Sequence, residues 1–123
     1  MHNDPAASRA MIAQLRKNGL RGPWLPLLAE VLRLAGDQAE LLHHGERPWS
    51  SATFAGSRHI LRLDFAGEAA MDAAEKFIAA LPEHEFTLPG RIVADAQVTS
   101  VEQMALPQPR MTVEAELLLL DDA

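Results

Sequence analysis

The densest group of side chains that could do chemistry lies between positions 47 and 59. Trp49 could form one wall of a pocket, and Arg47 and Arg58 could bind a carboxylate or a phosphate. His59 could act there as an acid or a base, because the ordinary pKa of histidine lies near neutral pH. The pattern therefore predicts a small-molecule site whose candidate ligand-binding residues are Arg47, Trp49, Arg58 and His59.

A structural interpretation of the same residues is favoured over a site. A tryptophan on a strand is usually part of the core, and a lone histidine on an apolar strand face is usually buried with its hydrogen bonds satisfied. Arg58 would then be an exposed neighbour of His59. Alanine substitution of either residue separates the interpretations, because a ligand site loses binding whereas a structural pair loses stability.

Two other segments contain histidines that could bind a metal ion or a proton. His43 and His44 are adjacent, so their side chains point to opposite faces of a strand or diverge by about 100° on a helix. Neither geometry lets both rings bind one metal ion, and we predict no metal site. In Glu83-His84-Glu85 the carboxylates could raise the pKa of the histidine. A solvated turn is the favoured interpretation of that segment.

The remaining polar residues indicate no catalytic centre. Carboxylates at 95, 114 and 116 could meet across a C-terminal hairpin, but on an open sheet they form a solubilising surface, which Arg62 or Arg91 would balance. The phosphate-loop, dinucleotide, nucleophile-elbow and zinc-protease motifs are absent from the sequence. The catalytic residues therefore stay unknown, and no cofactor is predicted.

Composition limits the classes of protein. The chain has 123 residues, of which 48% are hydrophobic, as expected for one globular domain spanning 1–123. The absence of cysteine excludes disulfides, thiol catalysis and thiolate metal sites. The net charge of -6 and the dispersed basic residues argue against nucleic-acid binding. The excess of Arg over Lys is typical of a GC-rich bacterial genome.

The chain shows no signal of export or membrane insertion. The first residues lack the basic and apolar regions of a signal peptide. The longest apolar runs are far too short to span a bilayer. We therefore expect no membrane association and a cytoplasmic location.

Three helices are predicted, at about 5–18, 23–35 and 68–81. Asp4 caps the first helix, with Pro5 in its first turn, and Gly19 ends it. The second helix is apolar around most of its circumference, which leaves Glu30 and Arg33 in solvent. Such a helix packs between the sheet and the first helix, or between subunits.

Four strands are predicted, at about 49–55, 58–65, 91–101 and 110–120. His59 and the alternate residues to Phe65 share one strand face. Residues 39–44 are either a short helix or, as we favour, a fifth short strand before a turn at 45–48. In the strand 91–101, Ile92 and the alternate residues to Val98 share one face, and Val93 belongs to the other.

These elements predict an α+β fold of order ααββαββ. An antiparallel sheet of four to five strands carries three helices mainly on one of its faces. The last two strands form a hairpin. The other sheet face is exposed to solvent, yet Val93, Val101, Leu118 and Leu120 would add apolar side chains to it.

Excess apolar surface predicts self-association. The apolar second helix and the apolar residues of the solvent-exposed sheet face are typical of an interface. We therefore expect a homodimer that acts as a non-enzymatic binding or assembly module. The alternative is a small enzyme or ligand carrier with a pocket for a small molecule near Trp49, Arg58 and His59.

Overall fold

The described residues form three helices and one four-stranded sheet. The computed structural model describes residues 5–17, 24–36 and 38–121. The helices are α1 (Pro5–Lys17), α2 (Leu25–Ala35) and α3 (Glu68–Ala80); the strands are β1 (Ala39–Ser50), β2 (Ala55–Ala66), β3 (Arg91–Met104) and β4 (Arg110–Asp121). A single 3-10 turn, Leu81–Glu83, follows α3. The predicted α+β fold and its order ααββαββ are confirmed.

The sheet is antiparallel throughout, with the strand order β1-β2-β4-β3. Strands β1 and β3 are therefore its two edges, and β3 and β4 form the predicted hairpin. The helices cover one face: α3 lies against β2 and β4, α2 lies against β1 and α3, and α1 packs on α2. We call the opposite side of the sheet the outer face.

The two central strands supply most of the core. Residues of β2 and β4 alternate between buried and more exposed positions, as a sheet with one covered face requires. The phenyl rings of Phe65 in β2 and Phe77 in α3 lie 6.1 Å apart. The inward residues predicted for these strands are all buried: His59, Leu61, Leu63, Phe65, Met111, Val113, Ala115, Leu117 and Leu119.

Helix α2 lies inside the fold. It begins at Leu25 with Pro26 in its first turn, where a proline interrupts no helical hydrogen bond. Leu27, Leu28 and Val31 are buried, so the apolar circumference is covered by other parts of the same chain. Glu30 is only 6% exposed, and its predicted exposure is wrong. The predicted caps Asp4 and Gly19 lie outside the described residues.

Strand β1 is longer than the sequence indicates. Residues 39–44 are strand, as favoured, but the turn predicted at 45–48 and the strand predicted at 49–55 are wrong. The strand continues to Ser50, and residues 51–54 make the turn, in which Ser51 N–H donates to Phe54 O at 2.8 Å. Pairing with β2 along the whole strand outweighs the turn propensity of the Gly45–Pro48 segment. An edge strand tolerates such a proline.

Irregularities in the edge strands change which residues face the core. The register shifts between Leu41 and His43 in β1, and β3 has two such shifts, one of them between Val93 and Asp95. An extra residue at a bulge moves every later side chain to the opposite face.

The predicted alternation in β3 is therefore wrong. Val93, predicted to share the outer face, packs against the core, whereas Ile92 is 54% exposed. Val101 lies opposite the buried Val113 and is also on the helix side, although 45% exposed.

Within the described part of the chain, no helix has both the length and the hydrophobicity that crossing a membrane would demand.

Candidate functional site

The four residues predicted to form one site are divided between the two faces of the sheet. His59 points towards the helices and is fully buried. Arg58 points to the outer face, where its pairing neighbour on β1 is Arg47. Trp49 lies in the same face, opposite Gly56. Alternation along β2 therefore separates His59 from the other three, which do not share a pocket with it.

Arg58 already has a partner. Its Nη1 donates to Glu116 Oε1 at 2.7 Å, across the pairing of β2 with β4. Both side chains are largely buried, and the short distance is typical of a charge-assisted hydrogen bond. Arg47 is exposed. The guanidinium of Arg58, which we predicted to bind a ligand, thus binds a carboxylate of the same chain.

A chain of hydrogen bonds surrounds His59. Its Nε2 lies 2.7 Å from Ser57 Oγ, and its Nδ1 lies 2.9 Å from His44 Nε2. The two imidazole rings are nearly parallel, and the Trp24 ring meets His59 edge-on at 4.6 Å. A neutral imidazole has one donor and one acceptor nitrogen, so the chain of three side chains is satisfied in either direction.

Burial keeps both rings neutral at pH 7. Burial, together with the nearby charges of His44 and Arg91, lowers the pKa of His59 to about 4. Burial also lowers the pKa of His44, although Glu46 opposes the shift. A histidine with a pKa far below neutral is a weak base at pH 7. Ser57 is only 4% exposed. The hydrogen-bonded chain of Ser57, His59 and His44 therefore links β1 and β2 through buried polar groups.

A second buried polar contact links α2 to the segment after α3. His84 Nε2 lies 3.0 Å from Glu30 Oε1, and Thr87 N–H donates to the same oxygen at 3.3 Å. The ring of His84 also packs edge-on against Phe86 at 4.5 Å. The solvated turn predicted for His84 is wrong, because Glu30 holds it against the fold. The partners are 54 residues apart, and no spacing rule connects them.

Cavities lined by described residues lie elsewhere. One of about 430 Å³ lies between α1, α2 and the start of β1. Another of about 170 Å³ is lined in part by Trp24, Leu119 and Arg91. The guanidinium carbon of Arg91 lies 5.2 Å from the centre of the Trp24 ring, and its Nε, buried and without a hydrogen bond, is 3.6 Å from Asp121 Oδ1. Neither cavity is lined by the four predicted residues.

No metal centre is formed by the residues that the structure describes. Among them, no three histidine, aspartate or glutamate side chains come close enough together to hold an ion. His44 and His59 are therefore a pair without a third ligand.

None of the described helices covers the outer face of the sheet. Ion pairs join its two central strands: besides Arg58–Glu116, Arg62 Nη2 lies 3.3 Å from Glu114 Oε2. At one end, a row across all four strands consists of Trp49, Gly56, Leu120 and Ile92. We call it the apolar row. Only the strand register brings these four residues together, so sequence spacing could not predict the row.

Comparisons with known proteins identify a fold and no family. No family model matches the chain. No curated protein matches it either. The fold is similar to that of one chain in a solved structure of the virion of a native gene transfer agent (GTA) particle. The TM-score is 0.54 at 15% sequence identity, over 98% of this chain and 99% of that chain. At this identity the similarity concerns the fold alone.

Proposed function

We propose that the protein is a non-enzymatic structural subunit that self-associates and assembles into a virion-like particle. The fold similarity to a chain of the GTA virion carries this proposal. That similarity extends over nearly the whole of both chains, so the two are alike as complete folds. Function does not follow from fold by itself. The surface and interior of this chain supply the further support.

The interior supports a structural role. The side chains with the most reactive chemistry, Ser57, His59 and His44, contact one another in the core and are not exposed in a cleft. Glu30 and His84 likewise satisfy one another. An enzyme presents such groups to a substrate, and here they hold elements of the fold together.

The surface supports self-association. Helix α2 is internal and is no longer a candidate interface, but large apolar side chains are exposed on the sheet and its loops. Exposed apolar groups of this kind are typical of interaction surfaces. They are Leu42, Phe54, Ile92, Val101, Met104 and Leu106.

The sheet edges favour contact through a face. Both edge strands contain bulges, and β1 also carries Pro48. Bulges and prolines prevent another strand from adding to an edge. We therefore propose a homodimer, or a larger assembly, that forms in the cytoplasm through packed surfaces and not through a shared sheet.

Light scattering on a sizing column at micromolar concentration, combined with native mass spectrometry, tests the proposal. We expect a dimer or a higher oligomer at a multiple of the 13.4 kDa chain mass, with no added mass. A monomer at these concentrations would contradict the proposal.

An added mass would instead support the alternative, a ligand carrier. The cavity beside Trp24 and Arg91 would then be the first place to locate the ligand, because Arg91 Nε is buried there without a hydrogen bond.

A further inference from the structure

The outer face carries its charges in two halves. Four successive rows of residues cross the sheet, from the row that contains Trp49 to the row that contains His43. Within these rows the basic side chains lie on β1 and β2, and the acidic side chains lie on β4 and β3. The basic half contains His43, Arg47, Arg58 and Arg62, and the acidic half contains Asp95, Glu114 and Glu116.

Ion pairs neutralise only the centre of this face. Arg58 and Arg62 bind glutamates of β4 across the boundary between the halves. Arg47 and Asp95, at opposite edges of one row, are both exposed, and neither forms an ion pair with another described residue. Arg47 and Asp95, one at each edge, are thus left without an ion-pair partner among the described residues.

We propose that the outer face binds the outer face of a second copy of this chain, with a two-fold axis parallel to the strands. This inference rests on the proposed self-association and names its surface and symmetry. The axis places β1 over β3 of the second copy, and β2 over β4. Each row then faces the same row reversed, so Arg47 lies opposite Asp95, and Arg62 lies opposite Glu114. Such an interface is isologous, as in most dimers.

The same axis buries the apolar row against itself. Trp49 lies opposite Ile92 of the second copy, and Leu120 lies opposite Gly56. Gly56 has no side chain, so the facing leucine would pack on its backbone. Burial of these apolar side chains supplies the main attraction.

The other two-fold arrangement of two facing sheets fits poorly. An axis perpendicular to the strands would place Glu114 against Glu116 of the second copy and Leu120 against Arg110. Two glutamates would then meet and Leu120 would face a cation, although Arg58 would face Asp64. Contacts between like charges disfavour a wrong arrangement more strongly than contacts between opposite charges raise affinity.

The size of the face suits a stable dimer. Strands of 12 residues, at about 3.3 Å per residue, and four strands about 4.8 Å apart present roughly 750 Å². A standard interface buries about 800 Å² on each partner. Facing sheets cross at about 30°, so rows far from the crossing point are offset sideways from the rows that they face. Glu40 and Glu102, which would otherwise face each other, lie in the row furthest from the apolar row, where this offset is largest if the sheets cross at the apolar row.

Site-directed crosslinking tests the arrangement, because the chain has no cysteine of its own. His43 and Ser100 are exposed and occupy the two edges of one row. The variants His43→Cys and Ser100→Cys are purified separately, mixed and treated with a short bis-maleimide, which bridges the distance of about 10 Å between packed sheets. Ala79→Cys, exposed on α3, replaces His43→Cys in the control mixture.

We expect crosslinked dimer in the mixture of His43→Cys with Ser100→Cys, and much less with either variant alone or in the control mixture. Dimer formed by His43→Cys alone would overturn the proposed axis. An oligomer in light scattering without the mixed crosslink would overturn the choice of face but leave self-association intact. A monomer in light scattering would contradict both proposals.

Charge exchange gives a second test. Arg47→Glu and Asp95→Arg each place like charges across the interface, and each should weaken dimerisation about tenfold. The double variant restores opposite charges and should recover dimerisation. Arg9→Glu makes the same charge change on α1 and serves as the control. Equal weakening by the double variant and by the single variants would overturn the proposed contact.

Discussion

At the scale of the residue, the histidines show how burial changes a chemical role. The neighbours of His59 are residue types that occur in catalytic sites: Ser57 contacts one ring nitrogen and His44 contacts the other. Enclosure by Trp24 and the sheet removes the solvent that would stabilise its charged form. The structure therefore favours a buried histidine with satisfied hydrogen bonds over an acid or a base.

This burial makes the protein sensitive to acid. The pKa of His59 is about 4 when folded and about 6.5 when unfolded, so the unfolded chain binds more protons between these values. Stability is therefore full above about pH 6.5 and is lost as the pH falls towards 4. We expect the titration of His59 to lower the free energy of unfolding by about 2 kcal/mol when the pH falls from 7.5 to 5. Urea unfolding at both values measures it.

A variant separates this histidine from the carboxylates that also titrate in acid. His59→Leu replaces the imidazole by an apolar side chain of similar size that binds no proton, so the loss of stability of this variant from pH 7.5 to pH 5 should be smaller by about 2 kcal/mol. An equal loss in both proteins would refute the assignment to His59.

At the scale of the element, pairing between strands outweighs local sequence signals. Gly45 and Pro48 are typical of a turn, yet β1 passes through both because β2 offers a partner at every position from His43 to Ser50. Register shifts are a second reason why local patterns fail. One extra residue in β3 places Val93 on the face opposite to the predicted one. The bounds of α1 and α3 agree with the predicted ranges to within one residue.

The close approach of β2 and β4 makes one glycine indispensable. A Cβ at Gly56 would overlap the carbonyl oxygen of Leu119, which is backbone and cannot move without breaking the pairing. We expect Gly56→Ala to cost about 2 kcal/mol or more. At Gly45 a Cβ would meet only the side-chain Nε2 of His43, at 3.1 Å, so Gly45→Ala is the mild control. Thermal unfolding of both variants tests this, and equal melting temperatures would contradict it.

At the scale of the whole molecule, one face of the sheet belongs to the core and the other is covered by none of the described helices. The helices cover the inner face, and the apolar side chains of α2 are buried there. The outer face keeps a mixture of apolar side chains and ion pairs, which is typical of an interface that is exposed before assembly.

Substitutions on the two faces should therefore have different effects. Ile92→Ser alters a side chain that is 54% exposed, so the melting temperature of the monomer should change little while self-association weakens. Leu117→Ala removes fully buried methyl groups and should cost about 2 to 5 kcal/mol. Melting curves and light scattering on both variants check the contrast. Unchanged association in Ile92→Ser would count against the outer face.

The amino-acid sequence by itself determined the fold class, the three helices and the inward residues of β2 and β4. These depend on periodicity within one element, which neighbouring residues set through backbone geometry. Only the tertiary structure decided the extent of β1, the faces of β3, the Glu30–His84 contact and the separation of His59 from Trp49. Each of these depends on strand register or on contacts between distant parts of the chain, where packing free energy outweighs local preference.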